Sequence, residues 1–157
     1  IGGPKDRLDR CKRFGADVLI NIDEVTNADK RRGIVLEHTS GLGADVVIEC
    51  VGIPAAVQEG WPLARDGGRY MVLGQYCDAG PVSLNPHLIT KKELEVYGSY
   101  GSEPHHWARA IEFLRSRKDR YPFHELITHR FTLEQVNEAL EAVASWRTGK
   151  AVICPNG

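Results

Sequence analysis

Three short segments share a pattern that could hold a ligand: an apolar run that ends in glycine. Cys50-Val51-Gly52, Leu73-Gly74-Gln75 and Gly98-Ser99-Tyr100-Gly101 each follow such a run. Glycine lacks a Cβ, so its backbone can approach a ligand closely or simply make a tight turn. Any one of these glycines fits a plain turn as well as a binding loop. Three in succession at the ends of strands favour a crevice, because open α/β sheets bind ligands outside the carboxyl ends of their strands.

Other chemistry has weaker support. Asp45 and Glu49 flank the apolar residues 46–48, and strand-flanking charge explains them more simply than an acid/base pair does. No Ser/His/Asp nucleophile arrangement is recognisable. Among the six histidines only His105 and His106 are adjacent, and neighbours on a helix point in different directions, which argues against a shared metal. His38 reads as an ordinary core or surface histidine. Cys11, Cys50, Cys77 and Cys154 are separated by 39, 27 and 77 residues with no C-x-x-C pair, which predicts reduced, mostly buried thiols. No catalytic residue and no metal ligand is assigned. Trp61, Trp107 and Trp146 read as core anchors. Lys30-Arg31-Arg32 and residues 115–120 read as solvated helix ends.

The elements that must position the glycine turns can be read from periodicity. Residues 5–14 form a helix with Leu8, Cys11 and Phe14 on one face and Gly15 as its stop. Residues 17–20 read as a short buried strand. Asp23 can cap a helix over residues 28–39 with Ile34, Val35 and His38 inward. Residues 44–52 read as a strand buried on both faces of a parallel sheet. Pro54 opens a helix to about residue 64. Asp66-Gly67-Gly68 is a turn and residues 69–73 a strand. Val82-Ser83-Leu84 is a candidate short strand, and Asn85-Pro86 starts a short helix. Residues 93–97 form a strand. Residues 104–117 form an amphipathic helix with Trp107, Ala110, Ile111 and Leu114 inward. Residues 127–131 are extended, residues 132–144 form a helix with a capping-box start at Thr132, and residues 150–154 are a last strand. This alternation predicts an α/β fold with a parallel sheet and helices on both faces.

Size and charge set further bounds. The 157 residues suit one domain, and the hydrophobic (42%) and charged (26%) fractions are those of an ordinary globular chain. A net charge of −1 gives no electrostatic reason to expect nucleic acid or an anionic membrane. Asp45 and Glu49 break the longest apolar run, so no segment is expected to span a bilayer. No signal peptide is visible, and a cytoplasmic location is expected.

Taken in order, the segments resemble the medium-chain dehydrogenase/reductase superfamily, in its zinc-type alcohol-dehydrogenase-like branch. Gly43-Ala44-Asp45-Val46-Val47-Ile48-Glu49-Cys50-Val51-Gly52 resembles that family's fourth strand. Residues 66–74 resemble the fifth and residues 94–101 the sixth. Phe131-Thr132-Leu133, Asn137-Glu138-Ala139 and residues 148–153 match its C-terminal helix and strand, and residues 6–17 resemble the helix after its second strand.

The resemblance implies a Rossmann-type doubly wound parallel sheet that binds NAD or NADP. It implies that Gly2, Gly3 and Lys5 border the adenosine ribose. It places Val51 and Gly52 near the adenine and ribose side, and Leu73, Gly74 and Gln75, with Ser99 and Tyr100, along the nicotinamide. NAD-preferring relatives carry an acidic residue at the end of the second strand. That position falls on Gly2, so NADP is favoured over NAD, with Lys5 or Arg7 pairing its 2′-phosphate. The family's first strand and glycine-rich phosphate loop would precede Ile1, and its zinc ligands belong to a catalytic domain outside residues 1–157. The expectation is a partial nucleotide-binding domain of an enzyme acting on a small alcohol or carbonyl substrate, inactive by itself, with zinc bound by the parent enzyme and not by this chain. A homodimer through residues 93–97 is also implied. Two alternatives are part of a zinc-free NADPH quinone or enone reductase, and a non-catalytic binding or dimerisation module.

Overall fold

In the computed structural model, which describes residues 1–156, the order of elements is α/β. Helix α1 spans Lys5–Arg13, α2 Ala28–His38, strand β1 Ala44–Glu49, α3 Pro54–Gly60, β2 Ala64–Val72, α4 His87–Lys92, β3 Glu95–Gly98, α5 Pro104–Arg117, β4 Ile127–Phe131, α6 Val136–Ala144 and β5 Lys150–Ile153. The strands form two parallel sheets, one ordered β1-β2-β3 and one of β4 with β5. The expected α/β class and parallel pairing hold, but the strands are divided between two sheets. The chain separates into two compact units. One holds Ile1 with Ile22–Glu103, the other Gly2–Asn21 with the segment from Pro104 on.

The first unit is built on β2. In register, Val46 faces Arg69, Ile48 faces Met71 and Glu49 faces Val72, while Tyr70 pairs Val96 of β3. The expected turn at Asp66-Gly67-Gly68 is a bulge inside β2, where the register with β1 slips between Ala44 and Val46. Val57, Trp61, Ala64, Tyr70 and Leu94 form the core. The Trp61 and Tyr70 rings are 5.4 Å apart, and the Tyr70 hydroxyl donates to the Val57 carbonyl at 3.2 Å. Arg31, buried on α2, forks onto the Glu59 carboxylate of α3 with bonds of 2.6 and 2.5 Å.

Several expectations are corrected in this unit. Strand β1 is buried on one face only, because Val46 and Ile48 remain exposed. Asn27, not Asp23, caps α2, accepting the Lys30 N–H at 3.0 Å, since Asn27 stands directly before the first turn. His38 is exposed, and Arg31 takes the buried position. Val82-Ser83-Leu84 is irregular; Val82 and Leu84 pack on the core without pairing. Strand β3 begins at Glu95, because Glu93 ends α4 in the left-handed conformation (φ 51°).

In the second unit, residues 17–20 do not form a strand. A strand needs a hydrogen-bonding neighbour. Among the described residues the backbone pairing here is a single bridge, with Gly2 donating to the Ile20 carbonyl at 3.0 Å and pairing Asn21. Helix α5 has the expected length, but Trp107, Ala110, Ile111 and Leu114 are exposed. Helix α6 starts at Val136, four residues late. Thr132 and Gln135 close a turn ahead of it, with the Gln135 side chain accepting the Thr132 N–H at 3.0 Å. Its core is Phe131, Ala139 and Ala142. The four cysteines are free thiols, and three of them are exposed rather than buried.

Candidate functional site

The turns after β1 and β2 meet at one point. Gly52 adopts φ +82°, and a Cβ there would lie 2.4 Å from the Gly74 carbonyl oxygen. A Cβ on Gly74 would lie 2.3 Å from the Gly52 nitrogen. Both positions therefore require glycine, for backbone meeting backbone. The sequence suggested glycines that admit a ligand or make plain turns; the structure shows these two glycines admitting each other's backbone.

Glu49 ends β1 and ties this junction. Its Oε1 accepts N–H bonds from Val51 at 2.7 Å and Gly52 at 2.6 Å. Its main-chain carbonyl accepts from Leu73 at 2.9 Å and Gly74 at 3.0 Å. Four expected site residues thus spend their N–H groups on one neighbour. What the junction turns outward is apolar: Val51, Ile53 and Leu73 are exposed. Gln75 is half-buried beside them in sequence.

Beyond β3, the Ser99 N–H donates to the Val72 carbonyl at 3.2 Å, which fixes this turn against β2. Tyr100 is 80% exposed and stacks on Tyr76, ring centres 4.9 Å apart and nearly parallel. Exposed apolar side chains beside a flat aromatic pair suit a ligand with planar rings. The glycine turns, Val51, Leu73, Ser99 and Tyr100 thus lie at the carboxyl ends of three adjacent parallel strands, the edge at which open α/β sheets bind ligands. Sequence reasoning missed Tyr76, Ile53 and the tie at Glu49. The signal for Glu49 was available: a carboxylate ending an apolar strand, directly before a glycine turn.

Cys50 is next to this junction. Partial desolvation, and then the Glu49 charge, push its thiol up, which is the wrong direction for a thiolate nucleophile. Arg69 donates to the Glu95 carboxylate at 2.8 Å, and that hydrogen bond holds Glu95 below the usual carboxylate range.

Gly2, Gly3 and Lys5 belong to the second unit. Gly2 and Gly3 are half-buried, and Lys5 Nζ is 2.8 Å from Asp9 on an exposed helix face. Arg7 donates to the carbonyls of Thr148 at 2.7 Å and Trp146 at 3.3 Å and lies over the Trp146 ring, so its guanidinium is engaged. The His105 and His106 rings stand 3.9 Å apart. Among the described residues no three His, Cys, Asp or Glu side chains cluster in a way that could hold a metal ion. The residues present therefore do not fit a zinc site. No helix among them is long and apolar enough to cross a membrane.

Parallel strands with crossover helices define an α/β chain of the Rossmann type. The family model for zinc-binding dehydrogenases matches residues 1–116, and the chain belongs to that family. It is 33% identical over 147 residues to 5-exo-hydroxycamphor dehydrogenase of Pseudomonas putida, covering 94% of this chain and 40% of that protein. It is 37% identical over 141 residues to the erythritol/L-threitol dehydrogenase of Mycolicibacterium smegmatis, covering 89% and 36%. The solved structure of an alcohol dehydrogenase from Thermotoga maritima superposes with a TM-score of 0.88 at 30% identity, covering 97% of this chain and 41% of that one. The chain spans about two fifths of the length of these relatives.

Proposed function

We propose that this chain is the cofactor-orienting part of an NAD(P)-dependent oxidoreductase acting on an alcohol or its carbonyl. The junction of Gly52 and Gly74, rimmed by exposed Val51, Leu73 and Tyr100, carries this reading. Its relatives are named as dehydrogenases of hydroxylated compounds. When bound, the nicotinamide supplies the hydride acceptor or donor. The chain's own part is to place the ring. Leu73 and Gly74, with Tyr100, are assigned to the nicotinamide, and Val51 and Gly52 to the adenine and ribose side; the exposed apolar side chains among them would shield the bound rings from water. Gln75 and Ser99 supply polar side chains at the same edge.

In the second unit, the turn of Gly2, Gly3 and Lys5 is assigned to the adenosine end. Lys5 is exposed and ion-paired with Asp9, and Arg7 donates to main-chain carbonyls. NADP is favoured over NAD, with Lys5 or Arg7 pairing its 2′-phosphate. We assign residues 1–157 to a single partial nucleotide-binding domain in a cytoplasmic enzyme, consistent with four free thiols. All four residues of β3 are exposed at the sheet's edge, which supports a homodimer through that strand.

Titrating NADH and NADPH separately into the full-length protein that carries this chain tests the reading. Saturable binding of both is expected, tighter for NADPH. Binding of neither overturns the reading, and tighter NADH overturns the cofactor preference.

A further inference from the structure

We propose, resting on the cofactor reading above, that Glu49 is a positioning residue for dinucleotide binding: its buried side chain sets the Val51-Gly52 turn, beside the Leu73-Gly74 turn that its main-chain carbonyl holds. Glu49 is only 5% exposed, and among the described residues its side chain is bonded by amides and not by a cation. Its carboxylate Oε1 takes two amides and its carbonyl oxygen takes two more, so the Val51-Gly52 and Leu73-Gly74 turns share a single anchor. The fit is close on both sides. A Cβ on Gly74 would come within 2.7 Å of Oε1, so Gly74 leaves room for the carboxylate as well as for Gly52.

Packing alone does not explain this choice of residue. The second carboxylate oxygen is buried with no hydrogen-bond partner, a desolvation cost that an apolar residue of the same size would avoid. The cost is offset where an anionic oxygen makes short, charge-assisted bonds to two amides at once. The charge is felt locally: it adds to the upward shift of both the Cys50 thiol and the Tyr70 hydroxyl. Glu49 is buried and spends its bonding oxygen on the Val51 and Gly52 amides, so its role is assigned to the turns and not to the substrate.

The test uses the full-length protein and two substitutions. Glu49→Ala removes the side-chain anchor of Val51 and Gly52 and leaves the main-chain bonds to Leu73 and Gly74 in place; Glu49→Gln keeps an oxygen acceptor of the same shape and removes the charge. NADH affinity, KM and kcat are measured together with hydrogen exchange at the Val51 and Gly52 amides. Glu49→Ala should weaken NADH about tenfold or more, raise KM with kcat within about twofold, and speed exchange at both amides. Glu49→Gln should recover most of this, leaving a loss of about threefold. Wild-type affinity in a folded Glu49→Ala variant overturns the inference, as does lost affinity with unchanged exchange at the two amides. If Glu49→Ala does not fold, Glu49→Gln decides: unchanged affinity and exchange overturn the role. If the wild type binds neither NADH nor NADPH, the cofactor reading itself has failed, an outcome distinct from wild-type binding that Glu49 does not influence.

Discussion

Trp61 and Trp107 show how differently the two units use the same side chain. Trp61 is 7% exposed and packs on Tyr70, whereas Trp107 is 63% exposed on α5. Helix α3 buries Val57 and Gly60, and α5, twice its length, buries nothing. Both helices have apolar residues at positions that helical spacing puts on one face. Spacing tells which face of a helix is apolar; it does not tell what covers that face. In the first unit the sheet covers it, and the glycine junction stands on that packed base.

Substitution of the two tryptophans should separate the units most sharply. Trp61→Ala should cost about 3–5 kcal/mol of unfolding free energy, and Trp107→Ala about 0.5 kcal/mol or less, both by denaturant titration of the full-length protein. Equal costs would mean that α5 is packed in solution.

The next largest effect concerns Tyr70. It is fully buried, and burial, followed by the Glu49 charge, pushes its hydroxyl up to about 12 from the ordinary value of 10.0. Between those values the unfolded chain releases a proton that the folded chain keeps. Stability should therefore be complete below pH 10 and fall by roughly 2–3 kcal/mol as the pH rises to 12. Tyr70→Phe should remove that decline while losing about 1 kcal/mol at neutral pH with the bond to Val57. An unchanged alkaline decline in the variant would assign it to other groups.

A smaller contrast lies within the first unit. Gly52 and Gly80 both have positive φ, but a Cβ at Gly80 meets nothing within 4 Å. Gly80→Ala should cost about 1 kcal/mol from backbone strain alone. Gly52→Ala should cost about 2 kcal/mol and abolish measurable NADH binding, because the new methyl group strikes Gly74. Similar effects at both sites would remove the junction from the cofactor site.

Much of this was legible in the sequence because the signals are local. The runs before Gly52 and Gly74, and Pro54 opening α3, follow from propensity and turn chemistry. Residues 17–20 were not legible as irregular, because β propensity cannot report whether a partner strand is at hand. The bulge at Gly67-Gly68 looked like a turn because the same residues serve both. At the candidate site the glycines were legible but their purpose was not. Contact between Gly52 and Gly74 joins residues 22 apart, and only the fold shows that Glu49 serves both. The cations at the other unit were legible as charge, but the engagement of Arg7 by Trp146 and Thr148 was not.

Hydrogen exchange of the full-length protein with and without NADH tests the central claim most directly. Slowed exchange on binding at residues 51–53, 73–76 and 99–100 is the predicted result. Saturable binding that leaves those three segments unchanged would contradict it.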